Sequence, residues 1–198
     1  MKKRIAVLVS GGGTNLQALL DAEAAGAIPH GEIALVVSNK AGAYALERAR
    51  LSGVPGAVIT KKECGSQEAF EDALQAVLER NGTDVIILAG FLSILSEKFT
   101  SRWPNKIINV HPSLIPSFCG EGFYGLKVHE AALSYGVKVT GATVHFVNEI
   151  PDGGRIIAQK AVEILDGDTP EILQRRVMEQ AEWILLSQAA EKVCKEMN

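Results

Sequence analysis

The sequence predicts an α/β protein with a doubly wound, mostly parallel sheet and an antiparallel C-terminal part. Strand-like apolar runs alternate with helical patterns over residues 1–111 of the 198-residue chain. These runs are continuous rather than alternating, which is typical of parallel strands covered on both faces. After Pro112 the pattern changes to a loop, a short helix and two long strand-like runs. Strands that alternate with helices form layers joined by right-handed crossovers.

The first half of the chain supplies five predicted strands and three predicted helices. The strands are RIAVLVS (4–10), EIALVVS (32–38), AVIT (57–60), DVIILAG (84–90) and KIINVH (106–111). Helices are expected over about residues 15–25, 44–52 and 67–80. Ser66 is the expected N-cap of the third helix, and Asn81-Gly82 ends it.

The second half predicts fewer elements, and the whole chain reads as one domain over residues 1–198. A glycine- and proline-rich loop, SLIPSFCGEGFYGLK (113–127), precedes a short helix near residues 128–135. KVTGATVHFV (138–147) and RIIAQKAVEI (155–164) follow as strands joined through NEIPDGG. Thr169 and Pro170 begin the last helix. Its predicted buried face contains Leu173, Val177, Ala181, Ile184 and Leu185.

Composition argues against several classes of function. The net charge is −3 and the basic residues are scattered, so neither a nucleic-acid nor a membrane surface is expected. The first apolar run, Ile5–Val9, is too short for a signal peptide, and none reaches the roughly 18 residues of a membrane span. Three cysteines without CxxC spacing indicate reduced thiols in the cytoplasm. The histidine spacing predicts no metal site.

Three segments rich in functional groups follow predicted strands: residues 10–15, 90–95 and 109–111. Ligands of open α/β sheets bind in the crevice at the carboxyl ends of the strands. The fold class alone therefore predicts that these segments converge.

The first of these segments, SGGGTN, combines a glycine-rich turn with a helix N-terminus. Free backbone N–H groups and the helix dipole make such a turn an anion site, and a small phosphate monoester fits it. A plain tight turn is an equal alternative from this segment alone. Leu16 excludes a dinucleotide fingerprint, and the absence of Gly-Lys-Ser/Thr excludes a Walker A loop.

Asn109 and His111 lie on one face of their strand, because side chains alternate with a period of two. An amide donor beside an imidazole is a plausible oxyanion-binding pair for acyl transfer, and the imidazole can act as general acid or base. The alternative is a hydrogen-bonded histidine that closes a strand; Pro112 and the glycine turn favour function. His145 is expected in the core, and spacing alone makes Asp152 an ordinary turn residue.

SGGGTN, LAGFLSIL, NVHPSLIPSF, GATVHFV and PDGG, in this order, resemble the folate-dependent formyltransferases, in particular the phosphoribosylglycinamide formyltransferases of purine synthesis. The resemblance covers nearly the whole chain. It implies a phosphate-binding, Rossmann-type half over about residues 1–105 and a catalytic and folate-binding half over about 106–198. It also implies formyl transfer from 10-formyltetrahydrofolate to the amine of glycinamide ribonucleotide.

The resemblance further implies roles for individual residues. Asn109 and His111 would stabilise the tetrahedral oxyanion, and Asp152 would orient His111 and raise its pKa. Pro112 would turn the chain out of the sheet. The phosphate contacts would be Gly12, Gly13, Thr14 and Asn15. A further substrate contact would be Glu182 in the last helix, although it lies one residue away from the position that the family pattern implies. Folate contacts would be Leu88, Leu92, Ser93, Ile94, Leu95, Ile107, Val147 and Gln67.

Departures from the family pattern leave alternatives open. Ser93 and Gln67 stand where the family usually has arginine, Lys127 replaces a histidine, and the loop before Lys127 is longer. A formyltetrahydrofolate deformylase is the nearest rival, although that family tends to have histidine at the position of Pro112. A tRNA formyltransferase needs a basic surface. A non-catalytic binding module would leave Asn109, His111 and Asp152 apart. The chain is expected to be a monomer or a homodimer.

Overall fold

A computed structural model describes residues 1–197 and contains one seven-stranded sheet with the order β3-β2-β1-β4-β5-β6-β7. The strands are β1 (Lys3–Val9), β2 (Gly31–Ser38), β3 (Gly56–Val58), β4 (Val85–Leu88), β5 (Ile107–His111), β6 (Val139–Phe146) and β7 (Ile156–Glu163). Strands β1 to β5 pair in parallel, whereas β6 is antiparallel to both β5 and β7. The predicted fold class is confirmed.

Helices flank this sheet. They are α1 (Thr14–Ala24), α2 (Tyr44–Leu51), α3 (Lys61–Cys64), α4 (Gln67–Arg80), α5 (Glu97–Thr100), α6 (Leu126–Tyr135), α7 (Pro170–Val177) and α8 (Trp183–Glu196). Ser66 caps α4 by accepting from the Ala69 amide, as predicted. The sequence missed α3 and α5, because a four-residue helix is too short to show a period of 3.6. Within residues 1–197, no helix is long and apolar enough to cross a membrane.

Two hydrophobic cores cover the two faces of the sheet. Val7 and Val9 of β1 belong to one core, together with Val110 of β5. Ala6 and Leu8 belong to the other, because successive side chains of a strand point to opposite faces. Continuous apolar runs are the sequence signature of such doubly covered strands, and this explains why the parallel part was predictable.

The last helix departs from its predicted geometry. Residues Met178–Glu182 form a π-helical turn between α7 and α8. Because a π turn bonds residue i to i+5, it takes up one extra residue and rotates everything after it. Leu173, Val177, Ala181 and Leu185 are buried as predicted, but Ile184 is 39% exposed.

Close backbone packing fixes the hairpin between β6 and β7. A Cβ atom added at Gly154 would lie 1.7 Å from the Phe146 carbonyl oxygen. We expect Gly154→Ala to lower the free energy of unfolding by about 2 kcal/mol or more, because backbone cannot yield as a side chain can. Gly42→Ala, where a Cβ meets nothing within 4 Å, is the control and should change it by less than about 0.5 kcal/mol. Urea unfolding would measure both, and equal stabilities would contradict this account.

Candidate active site

The carboxyl ends of β1, β4 and β5 bring the three predicted segments to one edge of the sheet. A cavity of about 670 Å³ opens there, and its walls include Asn109, His111, Pro112 and Asp152. A smaller cavity of about 110 Å³ shares Asn109 and Asp152 with it. Both cavities lie at the crevice that the fold class predicted. The volume of the larger one falls in the range of small-molecule sites.

Asn109 and His111 of β5 converge with Asp152, which lies in the connection between β6 and β7. The His111 Nδ1 atom lies 3.4 Å from the Asp152 Oδ2 atom. The Asn109 Nδ2 group donates to Asp152 Oδ1 at 3.4 Å. A binding module without catalytic residues predicted that these groups stay apart, so that alternative is rejected.

His145 joins this cluster, and sequence reasoning placed it only in the core. It lies directly opposite Asn109 in the β5–β6 register. The His145 Nδ1–H group donates to the Phe146 carbonyl at 2.8 Å, and Nε2 lies 3.1 Å from Asn109 Nδ2. His145 Nε2 is also 3.5 Å from Asp152 Oδ1. The signal that could have revealed this contact was the strand register, which the sequence does not specify.

Burial and charge compete at His111. Burial lowers the pKa of the His111 imidazole from its ordinary value of 6.5, and His145 acts in the same direction. Asp152 and the Phe118 carbonyl oppose this change but do not reverse it. Asp152 therefore raises the His111 pKa as predicted, but desolvation is the larger effect and the pKa stays below its ordinary value.

The Asp152 carboxylate remains ionised at neutral pH. Burial alone would raise the pKa of Asp152, but His145, His111 and the Gly120 amide hold it below its ordinary value of 3.8. Gly120 N–H donates to Asp152 Oδ2 at 2.9 Å, and His111 Nε2–H donates to the Phe118 carbonyl at 2.8 Å. The loop after Pro116 thus supplies a hydrogen-bond partner to both Asp152 and His111.

The glycine turn after β1 has the geometry of an anion site. Gly13 is the N-cap of α1 with φ of +75°, and no side chain caps the helix. The first N–H groups of α1 are therefore available to a ligand. Only glycine fits here, because a Cβ on Gly13 would lie 2.6 Å from the Ala45 Cβ. The Ala45 amide fixes the turn further by donating to the Gly11 carbonyl at 3.1 Å.

Arg48 is a second residue that sequence reasoning missed. Its Nε–H group donates to the Gly12 carbonyl at 2.8 Å, and one Nη donates to Gln17 at 3.0 Å. The guanidinium therefore places a positive charge beside the predicted phosphate site. Arg48 lies in α2, remote in sequence from the glycine turn, so no local motif pointed to it.

Glu182 contacts Asn15 in the first turn of α1. Asn15 Nδ2–H donates to Glu182 Oε2 at 2.9 Å, and the π turn aims Glu182 inward. Burial raises the pKa of Glu182 to about 7, against the lowering effect of Asn15. The Asn15 Oδ1 atom is buried and has no hydrogen-bond partner among the described residues. Thr14, in contrast, is exposed on the first turn of α1.

Most of the predicted apolar slot surrounds the smaller cavity. Its lining includes the predicted residues Leu88, Ser93, Ile94, Leu95 and Val147. Leu92 lines the larger cavity instead. Ile107 is fully buried in the core and lines neither of these two cavities. Gln67 donates to the Ile94 carbonyl from α4 rather than facing this slot.

Ser93, at one of the two positions that lack the family's usual arginine, accepts a hydrogen bond from another side chain of the protein. Asn39 Nδ2 donates to Ser93 Oγ at 2.7 Å.

Among residues 1–197, no group of three or more His, Cys, Asp or Glu side chains is arranged to hold a metal ion. The chemistry that the cluster offers is hydrogen bonding to an oxyanion and proton transfer.

The amide, imidazole and carboxylate share one edge of the sheet with an anion site and an apolar slot, an arrangement suited to the transfer of a group between two bound molecules. The chain belongs to the formyl transferase family, whose match covers residues 3–189.

Three relatives illustrate the similarity. A phosphoribosylglycinamide formyltransferase from Haemophilus influenzae is 44% identical over 178 residues, covering 90% of this chain and 81% of the relative. The solved structure of glycinamide ribonucleotide transformylase 1 from Symbiobacterium toebii matches with a TM-score of 0.92 and 42% identity, covering 98% of this chain and 89% of that one. The trifunctional purine biosynthetic protein adenosine-3 of Gallus gallus is 48% identical over 90% of this chain, which spans 17% of that relative's length.

The buried Glu182 carboxyl makes stability depend on pH. Its pKa is raised from 4.5 to about 7, so the folded state holds the proton more tightly than the unfolded state. The free energy of unfolding should therefore fall as the pH rises from 4.5 to about 7, by about 3 kcal/mol at most. Glu182→Gln should abolish this contribution to the decline.

Urea unfolding across this pH range would test the effect. Glu179→Gln, on the exposed side of the same π turn, is the control and should keep the decline of the unaltered protein. Parallel pH profiles for Glu182→Gln and the unaltered protein would contradict the assignment.

Proposed function

We propose that this protein transfers the formyl group of 10-formyltetrahydrofolate to the amine of glycinamide ribonucleotide. The observation that carries the proposal is the convergence of Asn109, His111 and Asp152 on a cavity next to an apolar slot. The names of relatives that match nearly the full chain support it. A cytoplasmic enzyme without nucleic-acid or membrane partners, monomeric or homodimeric, is part of this proposal.

The reaction begins when the substrate amine attacks the formyl carbon. The tetrahedral intermediate carries negative charge on the formyl oxygen. Asn109 Nδ2–H donates to this oxygen in place of its 3.4 Å contact with Asp152, together with the His111 imidazole. The Nε2–H group of His111, which here donates to the Phe118 carbonyl, becomes available when the loop moves. Once released, the two donors stabilise the charge as it develops on the formyl oxygen.

Proton transfer completes the exchange. The amine must lose one proton, and the departing folate nitrogen must gain one. His111 moves this proton, and the ionised Asp152 carboxylate stabilises the imidazolium that forms. Because burial lowers the pKa of His111, the imidazolium releases its proton readily to the leaving nitrogen. The products are the formylated amine and tetrahydrofolate.

The anion site accounts for the other end of the acceptor. Strand β1 lies two strands from β5, a separation of about 10 Å at the usual strand spacing. A sugar phosphate with a terminal amine can bridge this distance. Its phosphate binds the amides of Gly12 to Asn15 beside Arg48. The Asn15 Oδ1 atom has no hydrogen-bond partner among residues 1–197, and both it and the Glu182 carboxyl can accept hydrogen bonds from the body of the substrate.

The donor occupies the apolar side of the crevice. Leu88, Leu95 and Val147 present hydrophobic surface to the smaller cavity. An aromatic pterin ring buries its faces against such side chains, and Asn109 and Asp152 close one end of the same cavity. This arrangement brings the formyl group to the amide and imidazole donors.

A direct assay tests the proposal. The protein, mixed with 10-formyltetrahydrofolate, should produce tetrahydrofolate only when glycinamide ribonucleotide is present, as followed by product absorbance. Turnover without the ribonucleotide would identify a deformylase. Absence of turnover in both mixtures would contradict any formyl-folate activity.

Asp152 supplies a second test. Asp152→Asn should keep the fold but lower kcat about 100-fold or more, because an amide cannot stabilise the imidazolium. Asp166→Asn changes a fully exposed carboxylate and should leave kcat within about twofold, as expected for surface substitutions. Near-normal turnover in Asp152→Asn, with unchanged circular dichroism, would rule out the proton-transfer role.

A further inference from the structure

The loop of residues 90–96, between β4 and α5, forms walls of both active-site cavities. Residues 90–95 make no backbone–backbone hydrogen bond with any residue in the described part of the chain. Side chains from other elements hold the loop instead. Ser10 Oγ accepts from the Leu92 amide at 2.9 Å, and Asn39 donates to Ser93. Besides the buried side chain of Leu95, these polar side chains fix the position of the 90–96 loop.

The third anchor is Glu71 of α4, a carboxylate that is only 5% exposed. Its Oε1 atom accepts from the Ser96 amide at 2.7 Å, and its Oε2 atom accepts from the Ser96 hydroxyl. Gln67 Nε2–H donates to Glu71 Oε1 at 2.7 Å and also to the Ile94 carbonyl at 3.1 Å. The first two turns of α4 thus bind the loop on both sides of Leu95.

The two cations that line a surface cavity together with Glu71 have other partners. Lys98 Nζ lies 2.5 Å from Glu68, and an Arg102 Nη lies 3.7 Å from Asp72. Glu71 is therefore stabilised by hydrogen-bond donors of the loop rather than by an ion pair. A buried carboxylate that accepts several hydrogen bonds contributes strongly to local geometry, since losing it leaves buried donors without partners.

We propose that Glu71 is a positioning residue for the formyl donor. It holds the 90–96 loop so that the loop side chains keep the shape of the pterin slot, and it touches no substrate itself. This inference rests on the proposed function for the identity of the donor. The position of the loop itself is a separate, testable property of the fold.

The fold of α4 does not depend on Glu71. Phe70, Leu74 and Leu78 anchor this helix in the core and are each almost completely buried. The anion site lies on the glycine turn before α1, to which Glu71 makes no hydrogen bond. Removing Glu71 should therefore weaken binding of the donor much more than binding of the ribonucleotide.

Steady-state kinetics separate these effects. Glu71→Ala should raise KM for 10-formyltetrahydrofolate about tenfold, the loss expected for hydrogen bonds to a buried charge. KM for the ribonucleotide should stay within about twofold, since uniform damage to the site would change both values. Glu71→Gln should restore most of the donor affinity, because one oxygen still accepts from Ser96 N–H and the Ser96 hydroxyl can reverse its role.

Glu79→Ala is the matched control. Glu79 lies on the same helix and accepts from Gln75, four residues earlier, at 2.6 Å, as Glu71 accepts from Gln67. It is exposed and does not contact the 90–96 loop by any hydrogen bond. This variant should keep both KM values. If Glu71→Ala does not fold, Ser96→Ala removes the same hydroxyl–carboxylate contact and should raise the donor KM.

Hydrogen exchange supplies a readout that needs no turnover. Amides of residues 90–96 should exchange faster in Glu71→Ala than in Glu79→Ala, with the remaining sheet unchanged. Equal exchange, or a donor KM equal to that of the unaltered protein, would overturn the positioning role. Absence of turnover in the unaltered protein would instead contradict the proposed function, and exchange would still decide whether Glu71 holds the loop.

Discussion

The partly buried carboxylate of Asp152 connects the parts of the crevice. Its Oδ1 atom faces Asn109 and His145, while Oδ2 faces His111 and the Gly120 amide. A buried charge is costly unless donors and opposite charges surround it. Here those partners come from β5, β6 and the loop after Pro116, so satisfying one carboxylate places three separate segments. The catalytic geometry is a consequence of that electrostatic requirement.

The sheet makes this convergence possible because its direction of pairing changes at β5. The parallel strands β1, β4 and β5 end at one edge, where their loops meet. The antiparallel strand β6 then sets His145 directly opposite Asn109 and leads into the hairpin with Asp152. Parallel pairing alone would supply an anion site without the carboxylate. The antiparallel addition brings acid–base groups to the same crevice.

Local patterns made part of this architecture predictable. Apolar runs and the period of two identified the sheet and the shared face of Asn109 and His111. Asp152 was assigned only by resemblance, because its Pro-Asp-Gly context equally describes a turn. His145 and Arg48 act through contacts between distant segments, set by strand register and helix packing, which no local pattern specifies. The π turn likewise depends on one extra residue whose effect a regular helical period hides.

Two carboxyl groups, the partly buried Asp152 and the buried Glu182, illustrate how surroundings assign different roles. Asp152 has several donors and two imidazoles nearby, which together outweigh burial, so its pKa falls and it remains a carboxylate. Glu182 has one amide donor, so burial dominates and its pKa rises to about 7. A permanent anion suits the stabilisation of an imidazolium. A carboxyl with a pKa near neutrality responds to its ligand: a hydrogen-bond donor of the substrate bound beside Glu182 would favour ionisation, and ionisation would in turn favour binding, since the two equilibria are linked.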